Sequence, residues 1–310
     1  MLRALLLFLV TLLFIVPVTL WLLFIALLER IGIKKVVPNA SDAQIEEALQ
    51  PFRERLRQSE RALARISLTA ITDDLPWISK LGGAPYLEIG ECLPLADDQR
   101  AMVLLAQINF AELPTLDGYP TLGLLQFFIA SEMEDGMYGI RYGAETPEAH
   151  MAQHSFRLRY IAEPLMDVSR LQRIEPPDID TTTPHNPAKP RAMRFAPARE
   201  AISPQDAGFR TWLDIDVDNW CKDQAQRLGV ASDDFRERAF PDAGGHKVGG
   251  YPTFAQEDPR PADSPLRLLL QLDSDDDLMW GDCGVGAFFI DPVDLARADF
   301  SRVLYNWDGH

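Results

Sequence analysis

The sequence predicts an α+β protein in which one transmembrane helix precedes an antiparallel, β-rich domain of two pseudo-repeated halves. Three observations lead to this prediction: an apolar run without charges near the N-terminus, short apolar runs separated by Gly, Pro and Asp further on, and three motifs that recur in one order. Short runs between turn residues are typical of antiparallel strands. The predicted boundaries are an anchor at 1–35, a helical segment at 36–75 and the β-rich domain at 76–310, with halves at about 76–163 and 208–310 and a proline-rich connection at 164–207.

The anchor prediction rests on residues 4–28, which contain no charged side chain. A helix of that length spans roughly 37 Å, more than the hydrocarbon core of about 30 Å requires. A cleaved signal peptide is the alternative, but its apolar stretch would be about 7–15 residues long. Arg30, Lys34 and Lys35 follow the run, and Arg3 and the amino terminus precede it. This bias predicts a single-pass protein of the bacterial inner membrane with its C-terminal domain in the cytoplasm.

A helical pattern follows the anchor, from Ser41 to about Ser67. Apolar residues recur there at roughly helical spacing, and arginines crowd the later turns. Pro51 is predicted to bend or restart the helix because it lacks a backbone N–H. Such a helix either lies on anionic headgroups or packs against its own domain, and the sequence leaves both interpretations open. A second helix is predicted at 216–229, with Gly229 as its C-terminal cap.

The connection between the two halves is distinguished by its prolines. Residues 164–207 contain eight prolines in 44 positions. Proline donates no backbone hydrogen bond, so this density is typical of extended linkers. The sequence therefore predicts a surface connection for this segment rather than a part of the core.

Charge limits the partners of the domain. The chain has 46 acidic and 30 basic residues and a formal net charge of −16. A negative field repels nucleic acid and attracts basic partners. The simpler interpretation is that the charge only keeps the domain soluble. The three cysteines are scattered and form neither a disulfide framework nor a paired metal site: Cys92, Cys221 and Cys283.

Three motifs recur in the same order in the two halves: a Gly-Gly-x-Pro turn, a Leu-Leu-x-Gln run and a segment that ends in Phe-Phe-Ile. The copies are Gly82–Pro85, Leu104–Ile108 and Gly123–Ile129 in the first half, and Gly249–Pro252, Leu268–Leu272 and Gly286–Ile290 in the second. A repeated order at similar spacing favours internal duplication. Folding alone explains each motif, because the turn needs free backbone angles and the buried Gln107 and Gln271 need hydrogen-bond partners inside.

These motifs also carry a resemblance to a known family. Gly249-Gly250-Tyr251-Pro252 and Met279-Trp280-Gly281-Asp282-x-Gly284 are the most specific elements, and the likeness extends from about residue 76 to 307. The sequence resembles the YwqG-like family, a bacterial family of largely unassigned function. The resemblance implies one α+β domain with antiparallel sheets and no established catalytic residues. Some relatives are suggested to be immunity proteins against bacterial toxins. The anchor lies outside the shared region.

No motif gives a positive sign of catalysis, a cofactor or a metal. The Gly-Asp-Cys-Gly turn around Cys283 resembles a protease nucleophile turn, but no histidine stands in a diagnostic setting. His150 and His154 are four positions apart without the glutamate of a zinc protease. A calcium loop starting at Asp273 would need a glycine at its sixth position, where Leu278 stands. The chain is therefore predicted not to be an enzyme.

The function predicted is that of a membrane-tethered immunity protein, which binds and occludes a basic cognate toxin, most naturally a nuclease. An acidic patch beside an apolar anchor suits such a basic protein partner, while an ordinary solvated turn is the simpler interpretation. The alternatives are a binding or scaffold module at the inner membrane without a link to toxins, and an unrecognised hydrolase. The predicted partner-binding residues are Asp273, Asp275, Asp276, Asp277, Trp280 and Asp282.

Overall fold

The structure is a computed structural model, and it describes residues 40–73, 75–131, 133–134, 136–141, 143, 146–179, 182–240 and 243–309. The predicted anchor at 4–28 lies outside this part of the chain. Within the described residues, no helix has the length and apolar character needed to cross a bilayer.

The described residues form seven α-helices, three short 3₁₀ helices and twelve strands; the α-helices and strands are named here in chain order. The helices are α1 (Asp42–Leu49), α2 (Arg53–Ser59), α3 (Pro147–Met151), α4 (Phe209–Leu213), α5 (Val217–Leu228), α6 (Ser232–Ala239) and α7 (Pro292–Ala296). The strands are β1 (Arg61–Ala70), β2 (Lys80–Leu81), β3 (Val103–Asn109), β4 (Leu124–Ile129), β5 (Gly136–Met137), β6 (Ile140–Arg141), β7 (Phe156–Ile161), β8 (Arg191–Glu200), β9 (Lys247–Gly249), β10 (Arg267–Asp273), β11 (Val285–Ile290) and β12 (Val303–Asp308).

The chain divides into two compact units, of which the smaller comprises, among the described residues, 40–48 and 219–238. In its described part the rings of Trp220 and Phe235 lie 5.5 Å apart, and Arg238 binds Asp42 at 2.7 Å. The helix predicted at 216–229 corresponds to α5, and Gly229 follows it with φ of +69°. That left-handed angle is the one a glycine cap supplies without strain.

The larger unit comprises 49–218 and 239–310 and contains one ten-stranded antiparallel sheet. The strand order is β12-β11-β10-β9-β1-β8-β2-β3-β4-β7. The pair β1–β8 stands at the middle, with four strands of one half on each side. β5 and β6 form a separate two-stranded ribbon. The antiparallel, β-rich character predicted from the turn spacing is confirmed.

The two glutamines of the repeat occupy matching positions on either side of the sheet centre. Gln107 pairs with Lys80 of β2, and Gln271 pairs with Lys247 of β9. Each strand also shifts register just before its glutamine, between Leu104 and Ala106 in β3 and between Leu268 and Leu270 in β10. The two halves therefore share strand order and register around the repeated motifs.

Both glutamine side chains find the internal partners that their burial requires. The Oε1 of Gln107 accepts the N–H of Tyr86 (3.0 Å), and that of Gln271 accepts the N–H of Thr253 (2.9 Å). The amide groups donate to pairs of backbone carbonyls: Pro76 and Ile78 for Gln107, Ala243 and Gly245 for Gln271. Each glutamine thus fastens the chain on both sides of its Gly-Gly-x-Pro turn.

The helical prediction for Ser41 to Ser67 is wrong at its C-terminal end. Pro51 does restart the helix, because a single 3₁₀ turn, Gln50–Phe52, separates α1 from α2. However, α2 ends at Ser59, and the chain continues as β1, which pairs with β8 over all ten residues. Residues whose spacing is compatible with a helix are held in a strand here by long-range pairing.

The surface connection predicted for 164–207 is also wrong over residues 191–200, which form β8 at the centre of the sheet. Pro197 is tolerated there because β2 pairs only with Arg191 and Ala192, so most of β8 has β1 as its one strand partner. A proline is compatible with a strand where its missing N–H faces away from the neighbour.

Candidate functional site

The connection between β10 and β11 carries the predicted docking residues, and most of its carboxylates are engaged within the chain. Asp273 accepts the N–H of Gly245 (2.6 Å), and Asp275 lies 2.8 Å from Nε2 of His246. Asp277 lies 3.0 Å from Nε of Arg191. These three aspartates therefore hold the turn in place before any partner is considered.

Asp275 organises the turn electrostatically. Its burial raises the pKa, but hydrogen bonds from His246 and from the backbone N–H groups of Asp277 and Leu278 outweigh that effect, so the pKa lies below the ordinary 3.8. A carboxylate held by several donors stays ionised more readily. The turn is thus preorganised around one charged side chain.

Trp280 is not a surface anchor, because its side chain is fully buried (0% exposed). A Cβ at Gly286 would overlap the indole, which shows how closely the ring lies on β11. Tyr138 meets it edge-on at 5.7 Å and Trp307 stacks at 6.3 Å. This corrects the docking role predicted for Trp280: its ring is part of the hydrophobic core.

The two remaining predicted residues, Asp276 and Asp282, are exposed, and neither makes a side-chain hydrogen bond or ion pair with any described residue. Asp282 lines a groove of about 830 Å³ together with Glu257 and Trp307. Glu257 is also exposed and has no ion-pair partner in the described part of the chain. We call this feature the acidic groove and define it by Glu257, Asp282 and Trp307.

The other polar residues considered in the sequence do not share hydrogen-bond partners. Cys283 is exposed with φ of +54°, and no described histidine bonds to it. His150 Nδ1 lies 2.9 Å from the carbonyl of Tyr305, whereas His154 Nδ1 lies 3.1 Å from Asp97. Over the described residues, no group of three or more His, Cys, Asp or Glu is arranged to hold a metal ion.

A second cleft, which sequence reasoning missed, is lined in part by the second Gly-Gly-x-Pro turn. It encloses about 810 Å³, and its lining includes Arg61, Tyr119, Tyr251 and Arg267. We call it the arginine cleft and define it by these four residues. The guanidinium carbon of Arg61 lies 4.2 Å from the ring centroid of Tyr251. The one sequence signal for this cleft was the specific Gly-Gly-Tyr-Pro motif, because its Tyr251 forms part of the cleft wall.

Burial is the main electrostatic influence on Arg61 in this cleft. It lowers the pKa of Arg61, and repulsion from Arg267 and Arg260 adds to this effect, while Tyr251 and Asp206 oppose it. Burial also raises the pKa of Tyr119 and of Tyr251, so both phenols stay neutral. The hydroxyl of Tyr119 donates to the carbonyl of Leu268 (2.9 Å). The cleft thus presents two cations beside two neutral aromatic rings.

Paired charges hold the Tyr251 turn that forms one wall. Glu200 accepts both from the fully buried Lys247 Nζ (2.7 Å) and from the N–H of Tyr251 (2.7 Å). The hydroxyl of Tyr251 donates to the carbonyl of Ser59 (2.5 Å). Gly249 permits close packing here, because a Cβ would lie 3.2 Å from the carbonyl oxygen of Ala62.

Comparison with known proteins gives a family without an assigned activity. The model of the family described as "Domain of unknown function (DUF1963)" matches residues 79–309. This region contains both Gly-Gly-x-Pro turns, the acidic groove and three of the four residues of the arginine cleft. No curated protein matches the chain significantly.

Proposed function

Because the chain belongs to the DUF1963 family, whose function is unknown, we propose its role from its own surface: the domain binds a basic protein partner and does no chemistry on it. The kinship with the YwqG-like family, the tethering at the inner membrane and the cytoplasmic position of the domain are parts of this proposal. The partner it fits best is a toxin, and the domain would act as its immunity protein.

The acidic groove carries the proposal. Glu257 and Asp282 are exposed carboxylates without an ion-pair partner among the described residues, and they share one concave surface with the half-buried Trp307. An arginine or lysine inserted there gains carboxylates and an indole ring together, a combination that favours cations. The net charge of −16 adds long-range attraction for a basic protein.

The rigidity of the neighbouring turn supports the same proposal. Asp273, Asp275 and Asp277 are bound within the chain, and Trp280, which follows them in sequence, is buried in the core. A surface that is ordered before binding loses little conformational entropy when a partner docks. Asp276 and the 44% exposed Met279 extend this ordered surface with one charge and one apolar contact.

Within this proposal, the toxin is a nuclease whose basic active site is blocked, with carboxylates in place of nucleic-acid phosphates. A scaffold module without a link to toxins would use the same groove for a different basic protein. An unrecognised hydrolase is the remaining alternative. The two binding roles differ in whether the partner kills cells that lack this protein.

The test reverses the charges of the groove in the full chain. Glu257→Lys with Asp282→Lys is expected to slow association and to weaken binding of the toxin encoded beside this gene by about tenfold or more, with a steep salt dependence. Co-expressed cells should survive with the wild type and die with this variant. Glu163→Lys with Asp233→Lys is the matched control, because both residues are exposed, lie outside the groove and have no described ion-pair partner.

Three outcomes contradict the proposal or part of it. Equal protection by the groove variant would move the docking surface elsewhere. Equal losses in the groove variant and the control would reduce the effect to net charge. Binding of a basic protein that is harmless to unprotected cells would remove the immunity role and leave the scaffold.

A further inference from the structure

We infer that the arginine cleft binds a small dianionic molecule, either a phosphate monoester or a dicarboxylate. This site is separate from the acidic groove, shares no residue with it and does not depend on the proposed protein partner. The inference rests on unpaired guanidinium groups, on the aromatic wall and on the size of the cleft.

The first argument is the absence of carboxylate partners at two of the arginines. Neither Arg61 nor Arg267 makes an ion pair with any described residue. Their neighbours in the same region differ: Arg260 binds both Asp206 and Asp258. Acidic residues outnumber basic ones by 46 to 30 in this chain, so two neighbouring arginines without a carboxylate partner are unexpected.

The second argument is that the unpaired cations repel each other in a partly desolvated place. Arg61 is half-buried, and Arg267 contributes to the lowering of its pKa. A dianion between them would relieve that repulsion and satisfy N–H groups that water reaches poorly. The carboxylates that line the cleft are largely engaged, since Glu60 binds Arg199 and Asp206 binds Arg260. Asp117 is the exposed exception.

The third argument is the geometry of the wall. The ring of Tyr251 lies under the face of the Arg61 guanidinium, 4.2 Å from its carbon atom. Stacking of this kind fixes the plane of the group and leaves its N–H edge for a planar or tetrahedral oxyanion. Two internal hydrogen bonds hold Tyr251 itself, so the ring is in position before a ligand arrives.

The volume of the cleft selects the ligand class. About 810 Å³ lies in the range of small-molecule sites, which is roughly 300–1,000 Å³. A nucleic acid would bring many phosphates against a protein of net charge −16, which opposes binding. The cleft therefore suits one anionic group on a small molecule that also contacts aromatic rings.

The experiment titrates the full-length chain, purified in non-ionic detergent, with inorganic phosphate, with succinate and with chloride at equal ionic strength. Calorimetry is expected to show saturable binding of phosphate or succinate with Kd of about 1 mM or tighter. The thermal midpoint should rise with that anion, since a ligand of the folded state stabilises it. The stronger of the two anions identifies the ligand class as phosphate or dicarboxylate.

Two variants and one control connect the binding to these residues. Arg61→Gln and Arg267→Gln should each weaken the anion by about tenfold or more, because each removes charge-assisted hydrogen bonds. Arg194→Gln should bind as the wild type does, since Arg194 is an exposed arginine of β8 outside the cleft with no described ion-pair partner. The exposed Arg267 decides the matter if Arg61→Gln does not fold.

Three results would overturn the inference. Chloride could raise the midpoint as much as phosphate and succinate do, which would be an ionic-strength effect alone. A second such result is that neither phosphate nor succinate binds saturably to the wild type. Arg61→Gln could lose stability while Arg267→Gln keeps full affinity, which would assign Arg61 to packing on Tyr251.

Discussion

The two Gly-Gly-x-Pro turns have the same backbone and different surroundings. Their glycines all have positive φ, +62° and +80° at Gly82 and Gly83, and +77° at both Gly249 and Gly250. In each turn the residue after Pro donates its N–H to the glutamine of the neighbouring strand. These shared features fasten each turn to the neighbouring strand, so they belong to folding.

The surroundings separate the two turns. The first turn is covered, because a Cβ at Gly82 would lie 3.0 Å from the ring of His185, and one at Gly83 would lie 3.0 Å from Pro190. The second turn lines the arginine cleft, where Gly249, Gly250 and Tyr251 form part of the wall. A repeated motif thus identifies what the halves need for folding, and the place where its surroundings differ indicates where a ligand site has formed.

The largest expected effect concerns the buried cation of the second turn. Lys247→Met leaves Glu200 without its ammonium partner in a nearly buried position and should cost about 3–5 kcal/mol of unfolding free energy. Chemical denaturation measures this loss. The double variant Lys247→Met with Glu200→Gln should recover much of it, because the amide oxygen still accepts the Tyr251 N–H. No recovery would mean that Lys247 acts by packing alone.

The next effect tests whether the halves are equivalent in stability. Gln107→Leu and Gln271→Leu each leave several buried backbone groups without a hydrogen-bond partner. Each should therefore lower the unfolding free energy by at least about 2 kcal/mol. The loss should be larger for Gln107, because its Oε1 also accepts from Gln126. In β11, Ala287 takes the corresponding place opposite Gln271. If one of the two variants loses almost no stability, the two glutamines do not have equivalent roles in the two halves.

Substitution of the glycines sharpens the difference between the turns. Gly83→Ala and Gly250→Ala both force an alanine into the left-handed backbone region, which should lower the unfolding free energy by about 1 kcal/mol or more. Gly250→Ala should cost more, because its Cβ would overlap the Glu200 carboxylate that Lys247 and Tyr251 hold in place. Thermal midpoints of the two variants provide the measurement. The reverse order would show that Glu200 moves freely.

The smallest effect is the contribution of Asp275, in the second half, to the pH dependence of stability. The pKa of Asp275 is lowered by folding, so this carboxylate contributes stability above pH 3.8 that is lost as the pH falls through its folded-state pKa. Asp275→Asn should therefore flatten the acid side of the stability profile, with little change in slope near neutral pH. If the stability of Asp275→Asn falls with acid as steeply as that of the wild type, Asp275 does not stabilise the turn.

Much of the candidate surface was predictable only in outline. The acidic turn was found from its carboxylates, and Asp276 and Asp282 are exposed as a docking surface requires. Glu257 and Trp307, which complete the groove, are distant in sequence from each other. Burial reassigned Trp280 to the core, and a tryptophan next to aspartates gives no local sign of which side it faces.

By itself, the sequence determined the antiparallel β-rich class, the order of the repeated motifs, the break at Pro51 and the helix that ends before Gly229. All of these depend on local chemistry: turn residues, missing donors and alternating apolar runs. Tertiary structure decided that Arg61 starts a strand, that the proline-bearing β8 stands at the sheet centre, and that Arg61, Tyr119, Tyr251 and Arg267 meet in one cleft. Those outcomes depend on pairing between segments far apart in the chain, whose energy no local pattern contains.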